Sequence, residues 1–142
     1  MIDLLTIALG EYGVSENKDA GEHNPRILHY LKEIGYSGIK DDETPWCSTF
    51  VNYCAKMVGR EQSKKLNARS WLDVGETVTE PELGDIVIFW RESPTSHKGH
   101  VAIYINKDKN YHYVLGGNQG NSVSIQPYSN SRVIGYRRLK CL

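Results

Sequence analysis

No sign of charge dominates this chain, and no apolar run in it approaches the length of a membrane span. Seventeen basic residues stand against seventeen acidic ones, a formal net charge of zero with no long run of either sign. That excludes the electrostatic footprint of a nucleic-acid or anionic-membrane partner. The uninterrupted apolar stretches fall well short of the roughly 20 residues a transmembrane helix needs. Near the start, Asp3, Glu11, Glu16, Lys18 and Asp19 interrupt any signal-peptide core. The expectation is synthesis in the cytoplasm without a signal peptide, with release by another route if the protein acts outside. Cysteine is scarce as well. Cys47, Cys54 and Cys141 are odd in number and unlike a disulfide framework in spacing, which suits a reducing compartment with at least one free thiol. There is no C-x-x-C or H-x-x-x-H pair, and His97 and His100 fall in a loop-to-strand transition, so no metal or other cofactor is expected.

What is present reads as one domain, residues 1–142, large enough for a real core. Ile2, Leu5, Ala8 and Leu9 share one side of a predicted helix over 2–12, followed by a polar loop over 16–22. Asn24-Pro25 joins a capping residue to a proline at the first helical position, and Gly35 ends the stripe of Ile27, Leu28, Leu31 and Ile34. Thr44-Pro45 repeats that start signal. Cys47, Phe50, Val51, Cys54, Ala55 and Val58 then follow at helical spacing up to Gly59. A shorter helical piece is predicted over 66–72. From Pro81 onward the pattern turns to strands, predicted over 85–91, 100–105, 111–115, 122–126 and 133–139, with a polar hairpin turn over 106–110. Helices followed by an antiparallel sheet make an α+β layout.

Cys47 carries the strongest chemical signal. It follows a proline at a helix start, where unpaired N–H groups and the helix dipole favour a thiolate. The same N–H groups, beginning with that of Cys47, suit the oxyanion of a tetrahedral intermediate. Cys54, two turns along the stripe, reads as a small buried hydrophobe, and Cys141 lies at the fraying end. His23, His29 and His97 sit in polar or helix-surface contexts. His100 follows Gly99 at a strand start, with Val101, Ile103 and Ile105 on the opposite face and Ala102 on its own face, small enough for a helix to approach. A thiol with an imidazole beside it makes an acyl-transfer nucleophile, so Cys47 and His100 are the expected nucleophile and base.

A third group must orient the ring. With a turn centred near Asp108 or Lys109, His100 lies opposite a residue between Gly116 and Asn118, whereas His112 pairs near Ile105, roughly 17 Å away at strand rise. Asn118 is therefore the expected orienter and His112 the alternative, and Gln119 offers a further polar contact. Gly116 and Gly117 let the backbone approach the site closely, although Gly-Gly-Asn also reads as an ordinary turn. Trp46 and Gln119, each next to a candidate catalytic residue, are the expected oxyanion or substrate contacts. Trp71 and Trp90 are further candidates for stacking.

Pro45-Trp46-Cys47-Ser48-Thr49-Phe50-Val51-Asn52, Leu83-Gly84-Asp85-Ile86-Val87, Gly99-His100-Val101-Ala102-Ile103-Tyr104 and Leu115-Gly116-Gly117-Asn118-Gln119 together resemble the CHAP group (cysteine, histidine-dependent amidohydrolases/peptidases) of the NlpC-like papain-fold superfamily. The resemblance is tighter to a single-domain branch met in phage lysis enzymes, which Glu16, His23-Asn24-Pro25 and Ala68-Arg69-Ser70-Trp71-Leu72 also fit. It implies a papain-like fold with the nucleophile helix packed on the sheet, Cys47 as nucleophile, His100 as base and Asn118 as orienter. Many NlpC-like relatives carry a histidine as third residue, at the spacing His112 has from His100. Calcium-binding relatives have an acidic loop near the nucleophile, for which Asp41-Asp42-Glu43 is too short, so no metal is implied. Relatives cut peptidoglycan, at the amide joining N-acetylmuramic acid to L-alanine or within the stem peptide. The expectation is a monomeric phage endolysin acting on bacterial peptidoglycan, with no nucleic-acid or membrane partner. A thiol acyltransferase or intracellular cysteine hydrolase on the same fold is the alternative, and a non-enzymatic wall-binding module is a third reading.

Overall fold

The computed structural model describes residues 2–16, 23–36, 38 and 45–142. Among them, helices α1 (Ile2–Leu9), α2 (Pro25–Glu33) and α3 (Cys47–Met57) precede strands β1 (Glu76–Val78), β2 (Ile86–Trp90), β3 (Gly99–Lys107), β4 (Tyr111–Gln119), β5 (Ser122–Ser129) and β6 (Val133–Arg138). Single 3-10 segments lie at Ala68–Asp73 and Asn130–Arg132. The strands make one antiparallel sheet in the order β1-β6-β2-β3-β4-β5. This is the α+β arrangement that the sequence predicts.

Local chemistry accounts for most element ends. Asn24 caps α2 by accepting the N–H of Arg26 on its side-chain oxygen at 2.8 Å, with Pro25 at the first position. Gly35 ends α2 with a φ of +96°, open to glycine at no steric cost. α1 stops at Leu9, short of the predicted Tyr12, because 10–13 turn instead to pair the N–H of Gly13 with the carbonyl of Val123. α3 starts two residues after Pro45, with Trp46 in the cap position and no side-chain cap. Cys47 is thus the first helical residue; Thr44 and the acidic Asp41-Asp42-Glu43 lie outside the described residues.

The helices cover one face of the sheet. There Ile86, Ile88, Val101, Ile103, Leu115 and Val123 pack against Leu4, Ala8, Phe50, Val51, Cys54 and Ala55. The opposite face carries its own apolar layer of Val87, Phe89, Ala102, Tyr104 and Val114, flanked by Tyr128, Val133 and Tyr136. β2 is buried on both sides, which explains its near-continuous apolar sequence. One expectation is corrected here. The helices approach the face of Val101 and Ile103, not that of His100 and Ala102, and the point of closest approach is Gly117. A Cβ there would stand 2.7 Å from that of Phe50 and 2.8 Å from the Trp46 ring.

Asp85, from the Leu-Gly-Asp motif, is fully buried at the start of β2. Its carboxylate takes both arms of the Arg138 guanidinium, each at 2.8 Å, and the N–H of Glu82 at 2.7 Å. This ties the end of β6 to the turn that sends β2 past the site. Replacing Arg138 by methionine leaves that charge buried without its partner. The expected loss is about 3 kcal/mol, read as a lower urea midpoint at unchanged slope. Unchanged stability would show that the pair does not hold the strands.

Candidate active site

The first turn of α3 brings Cys47 to the start of β3. The Cys47 side chain is 6% exposed and His100 is 5% exposed, and His100 is near enough to the thiol to act on its charge. Burial on its own pushes the Cys47 thiol up. The influence of the nearby His100, helped by the backbone N–H groups of Val101 and Ser48, outweighs it and holds the pKa below the usual thiol value. Cys54 is the opposite case: fully buried with no such partner, its thiol is pushed well up by desolvation, with Glu11 adding to the effect.

The other ring nitrogen of His100, Nε2, meets Oε1 of Gln119 at 2.8 Å. The Gln119 amide nitrogen donates to the carbonyls of Val114, at 3.2 Å, and Ser124, at 2.7 Å. Both amide hydrogens are therefore engaged, and the oxygen must face the imidazole. His100 consequently carries its proton on Nε2, leaving Nδ1 to exchange a proton with Cys47. The ring stacks on Tyr128 at 4.8 Å between centroids, and Phe89, itself stacked on Tyr128 at 5.0 Å, lies 6.3 Å away.

Gln119 stands where Asn118 was expected, and the reason is a β-bulge. Gly116 pairs with Ser124 and Gln119 with Ser122, so two residues of β4, Gly117 and Asn118, oppose one of β5. Asn118 takes a left-handed φ of 57°, and the extra residue reverses the in–out alternation that follows. Gln119 thereby returns to the face of Gly116 and Ala102. A Cβ on Gly116 would meet the Gln119 Oε1 at 2.6 Å and the Ala102 Cβ at 2.9 Å. The small size of Ala102 makes room for this amide rather than for a helix. Asn118 instead lines the open cleft with Cys47 and His100.

Other expected contacts resolve differently. His112 lies opposite Lys107, not Ile105, because β3 carries a bulge of its own. Its ring is occupied by Asn130 at 2.6 Å and the Tyr136 hydroxyl at 2.7 Å, and burial holds its pKa below the ordinary histidine value. Trp46 is fully buried and gives its indole N–H to Glu16 at 3.0 Å, so its ring packs the core and presents no stacking surface to a substrate. Trp71 is likewise buried, donating to Ser48 Oγ at 2.9 Å. Asn24 and Glu16 act as a helix cap and an indole anchor.

Two clefts meet at Cys47. One, of about 410 Å³, is lined by the apolar Pro45, Leu66 and Ala68 together with Arg91, His97 and Lys98. The second, of about 340 Å³, is polar and is lined by Arg91, His100, Asn118, Asn121, Tyr128 and Arg132. The arginines and Tyr128 carry no sequence signal of their own; Arg91 directly follows β2, β5 supplies Tyr128 and the 3-10 segment after it supplies Arg132. Among the described residues no group of three or more His, Cys, Asp or Glu is placed to hold a metal.

A family model described as the CHAP domain matches residues 39–118, more than half of the chain. The chain belongs to the CHAP domain family. The match ends one residue before Gln119, so it takes in Cys47 and His100 but not the amide that holds the ring. Among solved structures, a protein described as similar to lipoprotein, NLP/P60 family, from Staphylococcus aureus, shares the fold with a TM-score of 0.56 at 20% identity. The likeness covers 96% of the CHAP chain, which spans 40% of that protein. No match is found among curated proteins.

The lowered Cys47 pKa favours thiolate, so alkylation should begin at lower pH than for a free cysteine, whose pKa is about 8.5. With Cys141→Ser removing the exposed thiol and Cys54 silent, iodoacetamide labelling of the CHAP domain reads Cys47 alone. The expected midpoint lies below the free-thiol value and rises when His100 is replaced by glutamine. A wild-type midpoint at or above the free-thiol value would contradict the pairing.

Proposed function

We propose that the protein is a cysteine-dependent peptidoglycan hydrolase that cleaves an amide of the wall through a Cys47 thioester, as a phage-type lytic enzyme does. The observation that carries this reading is the pairing of Cys47 with His100, which holds the thiol pKa down, where two open clefts meet. A peptide strand laid across both clefts passes its backbone over the sulfur. Membership of the CHAP domain family supports the wall as substrate class.

In the proposed reaction His100 holds the proton from Cys47, and the thiolate attacks the carbonyl carbon of the scissile amide. The oxyanion forms beside the N–H groups of the first turn of α3. His100 then gives its proton to the amide nitrogen as the C–N bond breaks and the amine leaves. Water adds to the thioester, its proton passing to His100, and the C–S bond breaks to release the acid and restore the pair. Gln119 takes the orienting role first expected of Asn118, keeping the reactive nitrogen turned to the sulfur in every step. Asn118 is left as part of the cleft wall. The protein is proposed to reach the wall after release from the cell that makes it.

Digesting purified sacculi with wild type and with Cys47→Ala, followed by mass spectrometry, tests this reading. New amine termini are expected only with wild type; L-alanine termini name the muramyl amide, and termini within the stem name an endopeptidase. Unchanged sacculi across several peptidoglycan types would overturn the proposal. Within an active enzyme, Gln119→Ala is expected to lower kcat by about 10²-fold, the scale of a misplaced catalytic group, and Asn118→Ala by clearly less. The reverse order would return the orienting role to Asn118.

A further inference from the structure

Resting on the hydrolase reading above, we propose that the polar cleft beside His100 is a subsite for a substrate carboxylate, held by Arg91 and Arg132. The protein is then selective for stem peptides with a free carboxyl near the scissile amide over their carboxamide counterparts. The chain as a whole carries no net charge, yet among the described residues no carboxylate lines either cleft at Cys47, while two arginines line the polar one.

Neither guanidinium is satisfied by the protein. Arg132 is anchored at its root: Nε donates to the Trp90 carbonyl at 3.1 Å, and the guanidinium lies 5.2 Å over the Trp90 ring. Its two Nη groups have no partner among the described residues, which leaves a positioned fork of the geometry that takes a carboxylate with two hydrogen bonds. Arg91 likewise makes no side-chain hydrogen bond or ion pair among the described residues. Glu92, the acid next to it, is occupied by Lys98 at 2.7 Å. The amides of Asn118 and Asn121 and the Tyr128 phenol complete a lining that can donate to an anion. A cation pair left unneutralised beside a reactive sulfur meets its natural complement in an anionic group of the substrate. In a peptide stem one such group is the α-carboxyl of a γ-linked glutamyl residue, which a carboxamide replaces with little change of shape.

The test uses the full chain as Cys47→Ala, which binds without turnover. Two C-terminally amidated tripeptides, L-Ala-γ-D-Glu-L-Lys and the same peptide with D-isoglutamine, are titrated by calorimetry. The free carboxylate is expected to bind about 10- to 100-fold more tightly, the scale of a charge-assisted hydrogen-bond pair, and less so at high salt. Arg132→Gln and Arg91→Gln should each shrink that preference. Arg91 is exposed, so its variant remains informative if Arg132→Gln fails to fold. Equal binding of the two peptides, no binding of either, or a preference that survives both substitutions would overturn the subsite. Turnover of sacculi by wild type is read separately. Cleavage without carboxylate preference removes the subsite and leaves the hydrolase. Carboxylate binding without cleavage keeps the subsite and removes the hydrolase.

Discussion

The first turn of α3 can reach the sheet because β4 has no side chain at Gly117. Phe50 and Trp46 occupy the volume a Cβ would fill, and Cys47 lies between them in sequence. Bring the helix out by the width of a methyl group and the sulfur leaves the ring of His100. The rest of the molecule works to keep this contact closed. Glu16 holds the Trp46 indole from one side. From another, Ser48 and Asn52 bind the carbonyl of Lys65 at 2.6 and 3.1 Å, and Trp71 donates to Ser48. Beneath, Glu11 gathers Arg26 and Tyr30, and Arg26 reaches the hydroxyl of Tyr53 on α3. A helix start without a side-chain cap is thus fixed by its neighbours.

The imidazole depends on a second buried polar arrangement. Gln119 satisfies both amide hydrogens on main-chain carbonyls and offers its oxygen to His100. In a dry setting such a network has no slack, because any rotated amide strands a donor or an acceptor. The same bonds therefore set the tautomer of the base and the direction in which it faces the thiol. Tyr128 stacks on the ring, and Phe89 backs Tyr128. The lowered thiol pKa at Cys47 and the raised one at Cys54, two turns apart on one helix, follow from these surroundings and from nothing intrinsic to the thiols.

The helix stripes, the cap at Asn24, the double-sided burial of β2 and the antiparallel sheet were legible because each rests on interactions between residues near in sequence. Cys47 and His100 stood out for the same reason: a proline before a helix and a glycine before a strand are local signals. β1 was not legible, since three residues pairing only with the chain's end carry no period of their own. The continuation of β4 through Gly116-Gly117-Asn118-Gln119 was open to a turn reading, and Trp46 read as a substrate contact from its position next to a nucleophile although it fills the core.

By itself the sequence determined the class of fold, the thiol and the imidazole, because periodicity and punctuation are written in consecutive residues. Only the tertiary structure decided which side chain meets the far nitrogen of His100, since one extra residue in a strand reverses every orientation after it and leaves no mark in composition. It also decided that Arg91 and Arg132, distant in sequence, share a cleft. That choice belongs to strand pairing across the sheet, a long-range matter that no local pattern carries.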